Sequence, residues 1–140
     1  MGKINVARVI LGGLLAGLII NIGETVLNLY VIADESTAVL QRLGLQFPGP
    51  HQIGIFVAMT FVQGIILIFV YAGLRPRFGA GAKTAVIAAL IIWIVGFMAA
   101  FADVVLGLTP ANLLAIGGAW GLVETIVAAV AGAWLYKESD

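Results

Sequence analysis

Three carboxyl side chains lie within long apolar stretches of the sequence: Glu24, Asp103 and Glu124. Insertion scales put an ionised carboxylate at the centre of a membrane span at a cost of about 2.5 to 3.5 kcal/mol. No Lys or Arg occurs inside the same stretches to pair with them. A carboxyl group in that setting takes up a proton, binds a cation or reaches water. These three residues are therefore the first candidates for a functional site.

The residue types exclude several other kinds of chemistry. The chain has no cysteine, and its two serines, Ser36 and Ser139, lie in polar segments, so we expect no nucleophilic catalysis. His51 is the single histidine and no Glu-x-x-His spacing occurs, so we expect no metal site. The basic residues form no block, which argues against nucleic-acid binding. We expect no enzyme activity, and the sequence identifies no cofactor.

The composition predicts that the elements around these carboxyl groups lie in a lipid bilayer. Of the 140 residues, 62% are hydrophobic and 10% are charged, and the mean hydropathy is +1.14. A soluble domain is usually about a quarter charged, so this chain could not cover a water-facing surface. A bilayer is crossed by roughly 20 apolar residues in a helix. We predict an all-α, four-helix transmembrane bundle, a single domain over residues 1–140 with spans at about 9–32, 53–74, 84–106 and 113–136.

The connections support this division. A polar segment at residues 75–79 separates spans 2 and 3, and a Thr-Pro-Ala-Asn turn at 109–112 separates spans 3 and 4. Residues 33–52 form a longer connection that ends in Pro48-Gly49-Pro50 and cannot be helical throughout. Within it, residues 35–43 are expected to form a short interfacial helix on the outer surface, with Asp34 or Ser36 as its N-cap.

The cationic residues predict the orientation. Six of them fall on one side of the four-span arrangement: Lys3, Arg8, Arg75, Arg77, Lys83 and Lys137. Arg42 falls on the other side. By the positive-inside rule, both termini are cytoplasmic and the protein is a multi-pass component of the cytoplasmic (inner) membrane.

The predicted depths arrange the carboxyl groups as a series. Counted from the outer helix ends at about 1.5 Å per residue, Asp103 lies roughly 5 Å deep, Glu24 about 12 Å and Glu124 about 18 Å. Three amides, Asn21, Asn28 and Gln63, fall at similar depths. The pattern predicts a polar vestibule that opens to the outside and is closed towards the cytoplasm.

Small residues recur at helical spacing and predict close helix packing. Gly13 and Gly17 in span 1, and Gly117 and Gly121 in span 4, match the small-xxx-small motif of membrane helix contacts. Packing within one chain is favoured over a dimer contact, although the two are compatible.

Aromatic residues offer a further alternative. Trp93, Phe97 and Phe101 lie on roughly the same face of span 3, and Trp120 lies inside span 4. This spacing usually reflects packing, but it would also fit a flat pocket for a lipophilic ligand.

Three functional hypotheses remain. The carboxyl groups could relay protons or bind a small cation in a transporter or channel. They could instead hydrogen-bond to the amides and only hold together an accessory subunit of a larger membrane complex. A membrane-embedded binder of a lipophilic ligand is the third. In each case the expected partners are the lipid bilayer and either further copies of the chain or a larger membrane complex, with no nucleic acid.

Overall fold

The computed structural model describes residues 3–138. All of the secondary-structure elements assigned in this part of the chain are helices. In chain order they are α1 (Val6–Val26), a π-helical turn (Leu27–Val31), α2 (Ala33–Arg42), α3 (Pro50–Phe78), α4 (Ala82–Val105) and α5 (Ala111–Leu135).

Four of these helices are long and apolar enough to cross a membrane: α1 with its π turn, α3, α4 and α5. They contain 26, 29, 24 and 25 residues, and a span requires roughly 20. The prediction of an all-helical chain with four such helices is confirmed, and it indicates a multi-pass membrane protein.

Helix α3 differs most from its predicted bounds. It begins at Pro50, where the fixed φ angle of proline suits a first helical position. It also continues through Pro76 to Phe78, so most of the polar segment predicted to separate spans 2 and 3 is the last turn of this helix. A proline so near the C-terminus removes one hydrogen bond from the last turns. The helix ends at Gly79, whose φ of 82° favours glycine.

A short helix is present in the predicted connection, but its N-cap prediction is wrong. Helix α2 begins at Ala33, and Asp34 and Ser36 lie inside it. Neither side chain caps the helix, because Ile32 occupies the N-cap position without a side-chain hydrogen bond. Its C-terminal Arg42 donates from Nη2 to the carbonyl oxygens of Gly107 (3.1 Å) and Leu108 (2.7 Å). These two bonds attach α2 to the turn after α4. We call this side of the bundle the Arg42 end.

The opposite side of the bundle brings together the residues just before α1, the residues just after α5 and the α3–α4 connection. Arg75 forms an ion pair with Glu138 at 3.5 Å, and its guanidinium lies 5.2 Å from the centre of the Tyr136 ring. The backbone N–H of Asn5 donates to the Tyr136 hydroxyl at 3.3 Å. We call this side the Arg75 end.

Helix α1 packs against both α3 and α5 through glycine. A Cβ atom built at Gly64 of α3 would lie 2.5 Å from the backbone nitrogen of Gly17. On another face of α1, a Cβ atom built at Gly12 would lie 2.5 Å from the carbonyl oxygen of Gly132. The backbones meet directly at both places, which is how helices associate where water supplies no hydrophobic drive.

The tightly packed core occupies the half of the bundle nearer the Arg75 end. The buried residues of α3 begin at Gly64, and those of α4 lie between Thr84 and Ala89. The remaining halves of these two helices, towards the Arg42 end, contain no buried residue. The packing of α3 and α4 against the rest of the bundle is therefore looser in that half.

Candidate functional site

The carboxyl groups of Glu24 and Glu124 meet between α1 and α5. Glu24 lies in the last turns of α1, and Glu124 lies near the middle of α5. Glu124 Oε2 lies directly beside Gly23, the residue before Glu24, and the Glu24 carboxyl group is the acidic neighbour of the Glu124 carboxyl group. Glu124 is 9% exposed, whereas Glu24 is half-buried. We call these two residues the carboxyl pair.

Each carboxyl group also accepts a hydrogen bond from a residue four positions away on its own helix. Asn28 Nδ2 donates to Glu24 Oε2 at 3.1 Å. Trp120 Nε1 donates to Glu124 Oε2 at 3.1 Å. Asn28 can reach Glu24 because side chains four positions apart are neighbours on a helix surface, and it lies in the π turn that continues α1. The result is a row of four polar side chains that crosses from one span to another.

A glycine provides the space that Glu124 occupies. A Cβ atom built at Gly23 would collide with Glu124 Oε2. Any other residue at position 23 would displace the carboxyl group from its position beside Glu24. The close approach of the pair therefore depends on the absence of a side chain at position 23.

The pair has no cationic partner among residues 3–138, where the single ion pair joins Arg75 to Glu138. Two like charges 4 Å apart repel by about 4 kcal/mol at an effective dielectric constant near 20. Two ionised carboxylates in contact would carry this cost in addition to desolvation. The arrangement is consequently suited to hold a proton between the two groups or to bind a cation there.

Access to the pair differs between its two sides. Towards the Arg42 end, Thr25 and Asn28 are exposed. Towards the Arg75 end, Ile20, Ala128 and Ala129 are buried, at 0 to 2% exposure. Exposed residues therefore border the pair on the side of the Arg42 end, and tight apolar packing borders it on the side of the Arg75 end.

The other residues predicted for this site lie in different surroundings. Asn21 donates from Nδ2 to the Gly17 carbonyl at 3.0 Å and to the Val57 carbonyl of α3 at 3.4 Å, so it joins two helices. Gln63 is exposed and makes no side-chain hydrogen bond within residues 3–138. Asp103 is exposed near the end of α4. In the described residues, no third acidic or histidine side chain joins the pair to form a metal-binding cluster.

The four glycines predicted for packing also lie in different surroundings. Gly13 and Gly17 face Ile65 and Phe61 of α3 in the same chain. Gly117 has open space around it, and the nearest side-chain atom to a Cβ built at Gly121 is 3.9 Å away. The close contact of α5 with α4 is made instead by Gly118.

The aromatic residues of α4 are used in this contact. Trp93 donates from Nε1 to the Gly118 carbonyl at 2.9 Å and stacks on Phe97 at 5.1 Å between ring centres. A Cβ atom built at Gly118 would lie 2.7 Å from Phe97 Cε2. Both rings are therefore packed against α5, while Phe101 is exposed on the surface of α4.

Comparison with known proteins adds no relative. The chain matches no protein-family model, and no curated protein or solved structure is significantly similar to it. The chemistry of the site therefore has to be inferred from its own geometry.

Two residues of the site were not assigned to it from the sequence. Trp120 precedes Glu124 by four positions, which places both side chains on one helix face, so this contact had a readable signal. The role of Gly23 could not be predicted, because it depends on which residue of another helix lies opposite it. The proximity of Glu24 and Glu124 could not be predicted for the same reason.

Proposed function

We propose that this protein is a small proton- or cation-coupled transporter or channel in which the Glu24–Glu124 pair is the binding site. The observation that supports it is that two carboxyl groups from different spans are neighbours, without an ion pair to a cationic side chain among the described residues. A pair that only held the helices together would do so better with neutral amides, because buried acidic groups carry a desolvation cost.

The surroundings of the pair support the same proposal. A coupled carrier needs a site that is open to one side at a time. Exposed residues border the pair towards the Arg42 end, and apolar packing covers it towards the Arg75 end. Occupation by a proton or a cation would remove the repulsion between the two carboxylates and change how closely α1 and α5 approach. This gives the bound species a means to alter the conformation. The proposal involves no catalytic reaction.

We also propose that the Arg75 end faces the cytoplasm and that α2 lies on the outer surface of the inner membrane. Six of the seven Lys and Arg residues belong to the segments at the Arg75 end, and cationic loops remain cytoplasmic. The chain has no cysteine, so single substitutions Thr37→Cys in α2 and Lys83→Cys at the start of α4 can report orientation. A membrane-impermeant maleimide added to intact cells should label Thr37→Cys and leave Lys83→Cys unlabelled, and the reverse pattern would invert the proposed topology.

An accessory subunit of a larger complex remains the alternative, since the same pair could hold helices together there. A lipophilic-ligand site built on Trp93 and Phe97 is less well supported, because both rings are packed against α5. The native mass of the protein after gentle solubilisation of its membrane distinguishes the transporter from the accessory subunit. A discrete small homo-oligomer supports the proposal, and migration with other proteins in a much larger assembly supports the subunit.

The direct test is ion flux in proteoliposomes that enclose a pH-sensitive dye. Glu124→Gln and Glu24→Gln should each abolish flux, because one carboxyl group then has no partner to exchange a proton or cation with. Asp103→Asn is the matched control, since it removes an exposed carboxyl group that does not join the pair. Loss of flux in all three variants, or in none, would contradict the proposal.

A binding measurement in detergent distinguishes the two kinds of cargo. If the pair exchanges a proton for a cation, adding Na⁺ or K⁺ to weakly buffered protein should release protons in the wild type and not in Glu124→Gln. If it carries protons alone, neither protein releases protons on salt addition, while the dye-detected flux persists in the wild type.

A further inference from the structure

A cavity lies at the Arg75 end, between the start of α1 and the end of α5. Its volume is about 270 Å³, and it is lined by Arg8, Trp134, Leu135 and Lys137. Two of the four lining residues are cations and none is acidic. The cavity lies at the opposite end of the bundle from the side on which the carboxyl pair is exposed, so it is a separate feature.

The charge of this cavity is not neutralised within residues 3–138. Glu138, the acidic residue adjacent to Lys137 in the sequence, pairs with Arg75 instead. No ion pair of Arg8 or Lys137 occurs in the described part of the chain. Arg8 also belongs to the first turn of α1, where Asn5 Oδ1 accepts from its backbone N–H at 3.2 Å. The positive N-terminal end of α1 and the negative C-terminal end of α5 meet here and offset each other, so the two side chains supply the charge of the cavity.

The depth of the cavity in the membrane follows from its residues. Arg8 is the third residue of α1, Leu135 is the last residue of α5, and Lys137 follows it by two positions. Trp134 is 82% exposed in the last turn of α5. Exposed indole rings favour the headgroup level of a bilayer. The cavity therefore opens where the apolar span meets water, with two cations on its wall.

We propose that this cavity binds the phosphate of an anionic lipid headgroup, held by Arg8 and Lys137, with Trp134 beside the glycerol region of the lipid. Basic pockets between membrane helices at this level suit such headgroups. A zwitterionic lipid carries its own cation next to the phosphate and would be held less strongly. The proposal does not depend on transport at the carboxyl pair.

The test is lipid binding to the purified full-length protein in a neutral detergent, measured by native mass spectrometry. Phosphatidylglycerol and phosphatidylcholine are titrated separately against the wild type, Arg8→Gln, Lys137→Gln and the double variant. A cation near a phosphate contributes about 1 kcal/mol, which corresponds to roughly a fivefold loss of phosphatidylglycerol affinity for each single variant and roughly 25-fold for the double variant.

The matched control is the double variant Arg77→Gln with Lys83→Gln. It removes the same charge at the same end of the bundle, from exposed positions that do not line the cavity. The proposal expects this control to bind phosphatidylglycerol as the wild type does. An equal loss in the control would show that total charge, rather than the cavity, attracts the lipid, and would overturn the proposal.

Two further titrations identify the ligand. Equal affinity of the wild type for phosphatidylcholine would overturn a preference for anionic lipid. Inorganic phosphate at the same concentration should not displace phosphatidylglycerol, and displacement would assign the cavity to a free anion. If Arg8→Gln fails to fold, Lys137→Gln carries the test, because it changes an exposed residue beyond the end of α5.

Discussion

Replacing Gly64 with alanine should measurably weaken the contact between α1 and α3. A Cβ atom at this position would lie 2.5 Å from the Gly17 backbone nitrogen and 2.8 Å from its Cα, and would collide with the Gly13 carbonyl oxygen. All three atoms belong to a helix backbone and cannot move aside as a flexible side chain could. The two helices must therefore separate.

The magnitude follows from the distances. Ordinary van der Waals contact begins at 3.4 Å, so the separation is at least the difference between 3.4 and 2.5, about 0.9 Å. A gap of roughly 0.5 to 1 Å forfeits a quarter to a half of the attraction of each facing atom pair. Overpacking of this kind costs about 1 to 3 kcal/mol. At about 2 to 4 °C per kcal/mol for a chain of this size, the melting temperature should fall by roughly 2 to 12 °C.

The assay is thermal unfolding of the purified protein in one detergent, followed by tryptophan fluorescence. Gly73→Ala is the control, because Gly73 belongs to the same helix and has open space where its Cβ atom would lie. That variant should match the wild type or exceed its stability by up to about 1 kcal/mol, because alanine is the better helix former. Equal melting temperatures for Gly64→Ala and Gly73→Ala would refute the direct backbone contact between α1 and α3.

Three further predictions test individual contacts. Gly23→Ala should displace the Glu124 carboxyl group and abolish the flux proposed for the pair while monodispersity in detergent is retained, and wild-type flux in this variant would contradict the contact. Tyr136→Phe removes the hydroxyl that accepts from the Asn5 backbone and should cost about 0.5 to 1.5 kcal/mol in thermal unfolding, so an unchanged melting temperature would speak against that bond. Arg42→Gln removes the two bonds to the α4–α5 turn and should speed amide hydrogen exchange in α2, whereas unchanged exchange would mean that α2 is held by other contacts.

The fold class could be read from the sequence because it depends on local quantities. A run of apolar residues long enough to cross a bilayer must satisfy its backbone hydrogen bonds internally, and within one segment only a helix does so. The four long helices follow from this rule. The bounds of α3 could not be read in the same way. Proline usually ends a helix, but near the C-terminus of α3 the one hydrogen bond that Pro76 removes is tolerated.

The candidate site could be predicted in part. Glu24 and Glu124 were identifiable because an acidic residue in an apolar span is costly and therefore informative. Asp103 met the same criterion, yet it is exposed near the end of α4 and does not join the pair. The cost of a buried carboxyl group depends on its depth and on its neighbours, and a sequence gives the depth only approximately.

The sequence by itself determined four long apolar helices, the residues that are costly in lipid and the clustering of cations in particular segments. These properties are set by the composition of each segment and by the bilayer thickness. The tertiary structure decided which helices touch, because the contact of Gly64 with Gly17 and that of Gly12 with Gly132 depend on the rotation of one helix against another. The same rotations bring Glu124 into the space beside Gly23 and so make it a neighbour of Glu24, which is a property of the pair of helices and of neither one alone.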